Sequence, residues 1–156
     1  MIEIERKFLL KTEEWRSEVK RSVRMTQGYL CDEYSKTVRV RSAGDQAFLT
    51  IKSSSSDGGL SRPEFEYEIP SKDVDELLLM CSTSLEKIRH YVPHDEKHCW
   101  EIDEYLGLNA GLFTAEIELE TVTDKIVMPP WIGDEVTGQY NYTNAYLART
   151  PFQMWK

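Results

Sequence analysis

At the start of the chain Glu3, Glu5 and Lys7 alternate with Ile2, Ile4 and Arg6, just ahead of Phe8. In an extended strand successive side chains point to opposite faces. The two carboxylates and the ammonium then share one face, and Ile2, Ile4 and Phe8 share the other. Carboxylate oxygens bind hard divalent cations and an ammonium binds an anionic oxygen, so this one strand carries both halves of a site for a metal-bound anion. A solvated edge strand would look the same, and the reading therefore rests on whether the pattern recurs.

It recurs along the chain. Arg39 and Arg41 oppose Val38 and Val40, and Lys52 opposes Ile51. Glu64, Glu66 and Glu68 oppose Phe65, Tyr67 and Ile69, while Lys87 and Arg89 lie opposite Ile88. Glu101 and Asp103 oppose Trp100 and Ile102, and Glu116, Glu118 and Glu120 oppose Ala115, Ile117 and Leu119. Each segment alone fits an amphipathic sheet with its charged face in water. The signs, however, are sorted by segment, acidic at 64–68, 101–103 and 116–120 and basic at 39–41 and 87–89. A surface shaped only by solubility mixes them.

Strands are needed to hold these side chains. The alternation predicts them near 2–10, 25–31, 36–43, 46–53, 63–70, 84–92, 97–105 and 113–121, joined by short turns such as Ala43-Gly44-Asp45. Thr12 is placed to cap a short helix carrying Trp15. Ser71 is placed to cap a helix of about ten residues through Leu77, Leu78 and Met80. A last short helix starts near Asn144, and Ser53–Gly59 reads as a flexible loop. Closure removes the exposed edges of so many strands. The expected fold is mostly β (α+β): a closed eight-stranded antiparallel β-barrel forming a charged tunnel, with a few flanking helices. Arginine forks and lysines hold phosphate oxygens, and carboxylates hold Mg²⁺ or Mn²⁺, so the tunnel suits a metal–polyphosphate complex.

The 156 residues predict a single domain, 1–156, with 40% apolar and 29% charged residues marking a folded, soluble chain. No stretch approaches the roughly 18 apolar residues of a membrane span, and the charged N-terminus has no apolar signal region. Cys31, Cys81 and Cys99 are odd in number and far apart, which points to a reducing compartment and hence the cytoplasm. A net charge of -8 argues against nucleic acid as a partner. His90, His94 and His98 are spaced four apart, a zinc spacing only on a helix, and Pro93 with its strand-like flanks makes this a hairpin. Trp100, Phe65, Tyr67 and Trp131 read as outer packing.

In this order and register the charged segments resemble the CYTH superfamily, the triphosphate tunnel metalloenzymes. Glu3-Ile4-Glu5-Arg6-Lys7 is similar to its ExExK signature. The likeness continues through Gln27-Gly28-Tyr29-Leu30, the charged strands above, and the segment Pro129 to Gly138. The resemblance implies an eight-stranded tunnel acting on triphosphates with a divalent metal, most like the small inorganic triphosphatases. Cyclisation of ATP, hydrolysis of other triphosphates and a non-catalytic polyphosphate sensor stay open as alternatives. On this basis Glu3, Glu5, Glu116 and Glu118 are expected to bind the metal, with Asp103, Glu64 and Glu66 holding a second metal or the attacking water. Arg39, Arg41, Lys52, Lys87 and Arg89 are expected to cradle the phosphates, and Arg62 to close over the mouth. Neighbouring cations are expected to lower the pKa of Lys7, which then acts either as a base paired with Tyr29 or as a plain phosphate ligand. Glu68, Glu101 and Glu120 are read equally as ligands or as mouth and surface charges. The partner is a small triphosphate, and the chain works alone or as a homodimer.

Overall fold

The structure, a computed structural model, describes residues 1–155. Its strands are β1 (Ile2–Leu10), β2 (Arg21–Glu33), β3 (Lys36–Ala43), β4 (Gln46–Ser53), β5 (Ser61–Ile69), β6 (Thr83–Pro93), β7 (Cys99–Tyr105), β8 (Phe113–Glu118) and β9 (Ile132–Glu135). They run in the order β5-β4-β3-β2-β6-β7-β8-β1, and β1 returns to β5 through Ile2↔Pro63, Glu3↔Arg62 and Ile4↔Ser61. The first eight strands thus close the expected antiparallel barrel. β9 was not foreseen. It is four residues long, follows Pro129-Pro130 and adds to β1 beside Leu10 and Phe8, too short for an alternation to announce it.

Because the charged faces point inward, the hydrophobic core lies on the outside of the wall. Phe8, Val92, Trp100, Ile102, Ala115, Ile117 and Leu119 are covered there by Trp15 and Trp131. Trp15 sits on a 3₁₀ turn, Glu14–Glu18, and Trp131 meets Trp100 edge-on at 5.6 Å. Ile102 and Ile117 are fully buried, and each such side chain contributes about 1.5–3 kcal/mol, which offsets part of the cost of a charged lumen. A second outer cluster, Val40, Ala47 and Val74, lies under helix α1 (Val74–Leu79). This helix is shorter than expected. A 3₁₀ turn, Ser71–Asp73, precedes it, and no side-chain cap forms at Ser71. Phe65 and Tyr67 are 49% and 56% exposed. They do sit on the outer face, but α1 packs near the Ile69 end of β5, and Phe65 and Tyr67 stay exposed, so the packing expected for them is absent.

Inside the barrel the lining changes character with depth. Leu9, Leu85 and Tyr105 are the inward residues next after Lys7, Lys87 and Asp103. They pack with Leu112 and with Leu147 of helix α2 (Asn144–Arg149). Thr143 caps α2 by accepting from the Tyr146 N–H at 3.2 Å. The C-terminal segment therefore packs shut one end of the barrel, and the lumen is polar only on the other side of this plug.

The wall is completed between β1 and β5 by two loops. Val136 N–H donates to Lys7 C=O at 2.8 Å, and Glu5 N–H donates to Leu60 C=O at 3.0 Å. The loops meet backbone to backbone at Gly59 and Gly138. Gly138 has φ +74, and a Cβ there would lie 1.8 Å from the Gly58 carbonyl oxygen. Gly138→Ala combines a left-handed backbone with this clash, so the seam must open. We expect the thermal midpoint to fall by at least about 2–4 °C, read in a melting experiment.

Candidate active site

The polar part of the lumen is a cavity of about 290 Å³. Seven carboxylates (Glu3, Glu5, Glu64, Glu66, Glu101, Glu116, Glu118) and six cations (Lys7, Arg39, Arg41, Lys52, Arg62, Arg89) line it. With the two signs so nearly balanced, the cavity closes on itself through ion pairs, and any ligand must compete with them. Tyr29 also lines it. Thirteen of the fifteen residues singled out in the sequence thus share one cavity, and the other two, Lys87 and Asp103, do not line it.

The acidic side is built from neighbouring strands. Glu5 faces Glu118 across β1 and β8, and Glu116 faces Glu101 across β8 and β7. Lys52 donates to Glu3 at 2.9 Å and lies 3.5 Å from Glu64, while Arg62 lies 3.4 Å from Glu3 and 4.0 Å from Glu5. These cations do not satisfy the whole group. Burial, then the charges of Glu116 and Glu3, push the Glu5 carboxyl up to about 6. Burial, then Glu3, Glu101 and Glu5, also raise Glu118.

The basic side is crowded in the opposite sense. Arg39 and Arg41 share a single carboxylate, Glu66, at 3.5 and 3.3 Å, and Glu66 also accepts from Thr50 Oγ1 at 2.8 Å. Burial, then the guanidinium groups of Arg39 and Arg89, hold Arg41 down at about 10. The Nε–H groups of Arg39 and Arg41 are buried and have no acceptor. A buried donor without a partner is costly, and an anionic oxygen in the cavity would relieve it.

Under these side chains lies a closed ionic floor. Lys87 and Asp103 are both at 0% exposure and pair at 2.6 Å. Asp103 also takes both arms of an Arg89 fork, from Nε at 2.7 Å and Nη2 at 2.8 Å. Arg89 reaches Glu116 at 3.1 Å and pairs with Glu101 as well. Burial opposes the charge on Asp103, but Arg89 and Lys87 outweigh it and lower the carboxyl. The structure corrects two expectations here. Lys87 and Asp103 face inward as expected, but one layer too deep to line the cavity, and they hold each other. The lowered lysine is Lys87, which burial and then Arg89 bring to about 8, not Lys7. Burial opposes the Lys7 charge, yet Glu116 at 2.9 Å and then Glu5 raise its pKa overall. Lys7 also donates to the Tyr142 carbonyl at 3.2 Å.

Glu101 is part of the cavity, whereas Glu68 is exposed and Glu120 pairs with Lys97 at 3.1 Å on the surface. The three histidines bind side chains near them: His90 pairs with Ser22 and Glu104, His94 accepts from Trp100, and His98 pairs with Asp95. The sequence reading assigned no role to Thr37 or to the stretch from Val136 to Ala145, which supplies Thr137, Gln139, Tyr140 and Asn144 to the lining. None of these carries a charge, so sign-sorting gave no signal for them. The likeness of Pro129 to Gly138 to the family marked the start of this stretch without assigning its residues a role.

The donor set suits a hard divalent cation, because Glu3, Glu5, Glu116 and Glu118 offer oxygen ligands only. Among the described residues no three potential ligands are already gathered around one point. Glu3 is held instead by Lys52 and Arg62, and Glu116 by Lys7 and Arg89. An incoming phosphate chain would draw those cations away and free the carboxylates.

A closed barrel whose lumen sets crowded acids against crowded arginines defines a site for a metal-bound polyanion. The chain belongs to the CYTH domain family, which matches residues 1–150. It is 42% identical over 156 residues to an inorganic triphosphatase of Acetivibrio thermocellus, covering 99% of this chain and 97% of that protein. It is 34% identical to an inorganic triphosphatase of Nitrosomonas europaea, covering 95% and 97% of the two chains. The crystal structure of the inorganic triphosphatase NE1496 superposes with a TM-score of 0.65 at 29% identity, covering 94% of this chain and 93% of that one.

Proposed function

We propose that this protein hydrolyses inorganic triphosphate to pyrophosphate and phosphate in the barrel cavity, with Mg²⁺ or Mn²⁺ as cofactor. The observation that carries the reading is the pair of buried, acceptor-free Nε–H groups on Arg39 and Arg41, set against the crowded carboxyls of Glu5 and Glu118. One ligand relieves both strains together, a polyphosphate that brings its own divalent cation. The activity named for the relatives at 42% and 34% identity agrees.

In this reading Arg39, Arg41, Lys52, Arg62 and Lys7 bind phosphate oxygens. Glu3, Glu5, Glu116 and Glu118 hold the cation, and Glu64 and Glu66 complete the acidic side. When bound, the metal neutralises phosphate charge and orients the chain of phosphates. Water attacks the terminal phosphorus in line. The bridging P–O bond breaks, its electron pair leaves with pyrophosphate, and the water releases a proton. The loose transition state of phosphoryl transfer asks little of a strong base and much of fixed positive charge, so Lys7 serves as a ligand. Arg89 and Lys87, both tied to Asp103, fix the floor on which Glu116 sits. We read the whole chain, 1–156, as one working unit in the cytoplasm, alone or as a homodimer.

Phosphate release from tripolyphosphate, pyrophosphate and ATP, each with Mg²⁺, Mn²⁺ or EDTA, tests the proposal. Metal-dependent cleavage of tripolyphosphate, well above that of ATP, is the expected result. Equal or faster turnover of ATP, or none of tripolyphosphate, would overturn it.

A further inference from the structure

Gln27 is fully buried and takes no part in the ion pairs of the cavity. Its Nε2 donates to the hydroxyl of Tyr29, two residues along β2, at 3.1 Å. An N–H on the phenol oxygen occupies one lone pair, so the phenol's own proton has to point elsewhere. The charged groups with the strongest influence on this hydroxyl are Arg39, Arg62 and Lys7. All three are donors only, and none can accept that proton. Tyr29 itself is 4% exposed and lines the cavity. Burial raises its pKa, so the proton is retained. The other half of the amide is also informative. Gln27 Oε1 is buried without a partner, a cost that a methionine or leucine at this position would avoid.

We propose that Gln27 is a positioning residue: by donating to Tyr29 Oη it turns the Tyr29 O–H into the cavity, where it donates to a phosphate oxygen of the substrate. This rests on the proposed function and adds a neutral donor among the cations of the phosphate cradle. A phenol in this role distinguishes an oxygen that accepts a directed hydrogen bond from one that only needs a nearby positive charge.

The test is steady-state kinetics on tripolyphosphate with wild type, Gln27→Met, Tyr29→Phe and the double variant, with melting curves to establish folding. A hydrogen bond to a charged oxygen predicts a loss in kcat/KM of about 10- to 100-fold for Tyr29→Phe. Gln27→Met should lose part of this, and the double variant should be no worse than Tyr29→Phe alone. Losses that multiply, or Gln27→Met at the wild-type rate, would overturn the role. Gln27→Glu gives a second reading. An ionised carboxylate accepts the Tyr29 proton, so activity relative to wild type should fall as pH rises through the carboxyl titration. That fall should vanish with Phe at position 29, and a pH profile unchanged by Tyr29→Phe would overturn the inference. Absence of wild-type turnover removes the proposed function and this inference with it, whereas full wild-type turnover with multiplying losses counts against Gln27 alone.

Discussion

Glu5→Gln is expected to abolish triphosphate turnover while making the ligand-free protein more stable at neutral pH. The two effects have one cause. Glu5 is partly buried beside Glu116 and Glu3 and faces Glu118, so its carboxyl is raised from 4.5 to about 6. A carboxyl whose pKa is raised in the folded state favours folding below its ordinary pKa. That contribution is lost as pH rises through about 6. Above pH 7 the wild-type protein therefore holds an unfavourable carboxylate, and the neutral amide removes it. The shift bounds the gain at about 2 kcal/mol, or about 4–8 °C in thermal midpoint for a chain of this size. With substrate and metal the balance reverses, because the charge that strains the empty cavity is the charge that binds the cation. Loss of one such electrostatic contact costs at least about 100-fold in rate. Melting curves of both proteins from pH 4 to 8 should coincide near pH 4.5 and separate by pH 7. A variant no more stable than wild type at pH 7.5 would show that the acids are not crowded in solution.

What the sequence could reveal about this site follows from the period of a strand. Alternation assigns each residue to a face, and sorting by sign then identifies the charged faces as the inner ones. Glu3, Arg39, Glu64 and Glu118 were legible for that reason. Alternation carries no information about depth. Lys87 and Arg89 point the same way on β6, as do Asp103 and Glu101 on β7, yet Arg89 and Glu101 line the cavity while Lys87 and Asp103 lie beneath it. Depth depends on strand tilt and stagger around the barrel, which are properties of the closed sheet. The sign of the Lys7 shift was hidden for a related reason. It depends on Glu116 lying opposite in the β1–β8 register, and no single strand specifies its partner's register. β9 and the lining from Val136 to Ala145 are short, uncharged or irregular, and they fill a seam that exists only once the barrel has closed.

The largest loss of stability is expected at the floor, from Asp103→Ala. Asp103 is fully buried and is the shared acceptor for Lys87 and for two arms of Arg89. Its removal leaves two cations in the barrel interior without their principal counter-charge. Breaking such a pair from one side costs about 3–5 kcal/mol, which lowers the thermal midpoint by about 6–20 °C. Asp103→Asn separates charge from shape, because the amide keeps an acceptor at the same place. Lys87 already titrates at about 8 under burial and the push of Arg89, with Asp103 pulling the other way. Without that pull its pKa falls further, and near neutral pH it folds by giving up its proton. A lysine depressed in the folded state binds more protons unfolded, so stability rises with pH through its folded pKa. The deficit of Asp103→Asn relative to wild type should therefore shrink as pH climbs from 6 toward about 8, and stay constant once Lys87 is neutral in both proteins. A deficit that does not change across this range would mean that Lys87 keeps its charge without Asp103, and the ionic floor would then not be what holds Arg89 and Glu116 in place.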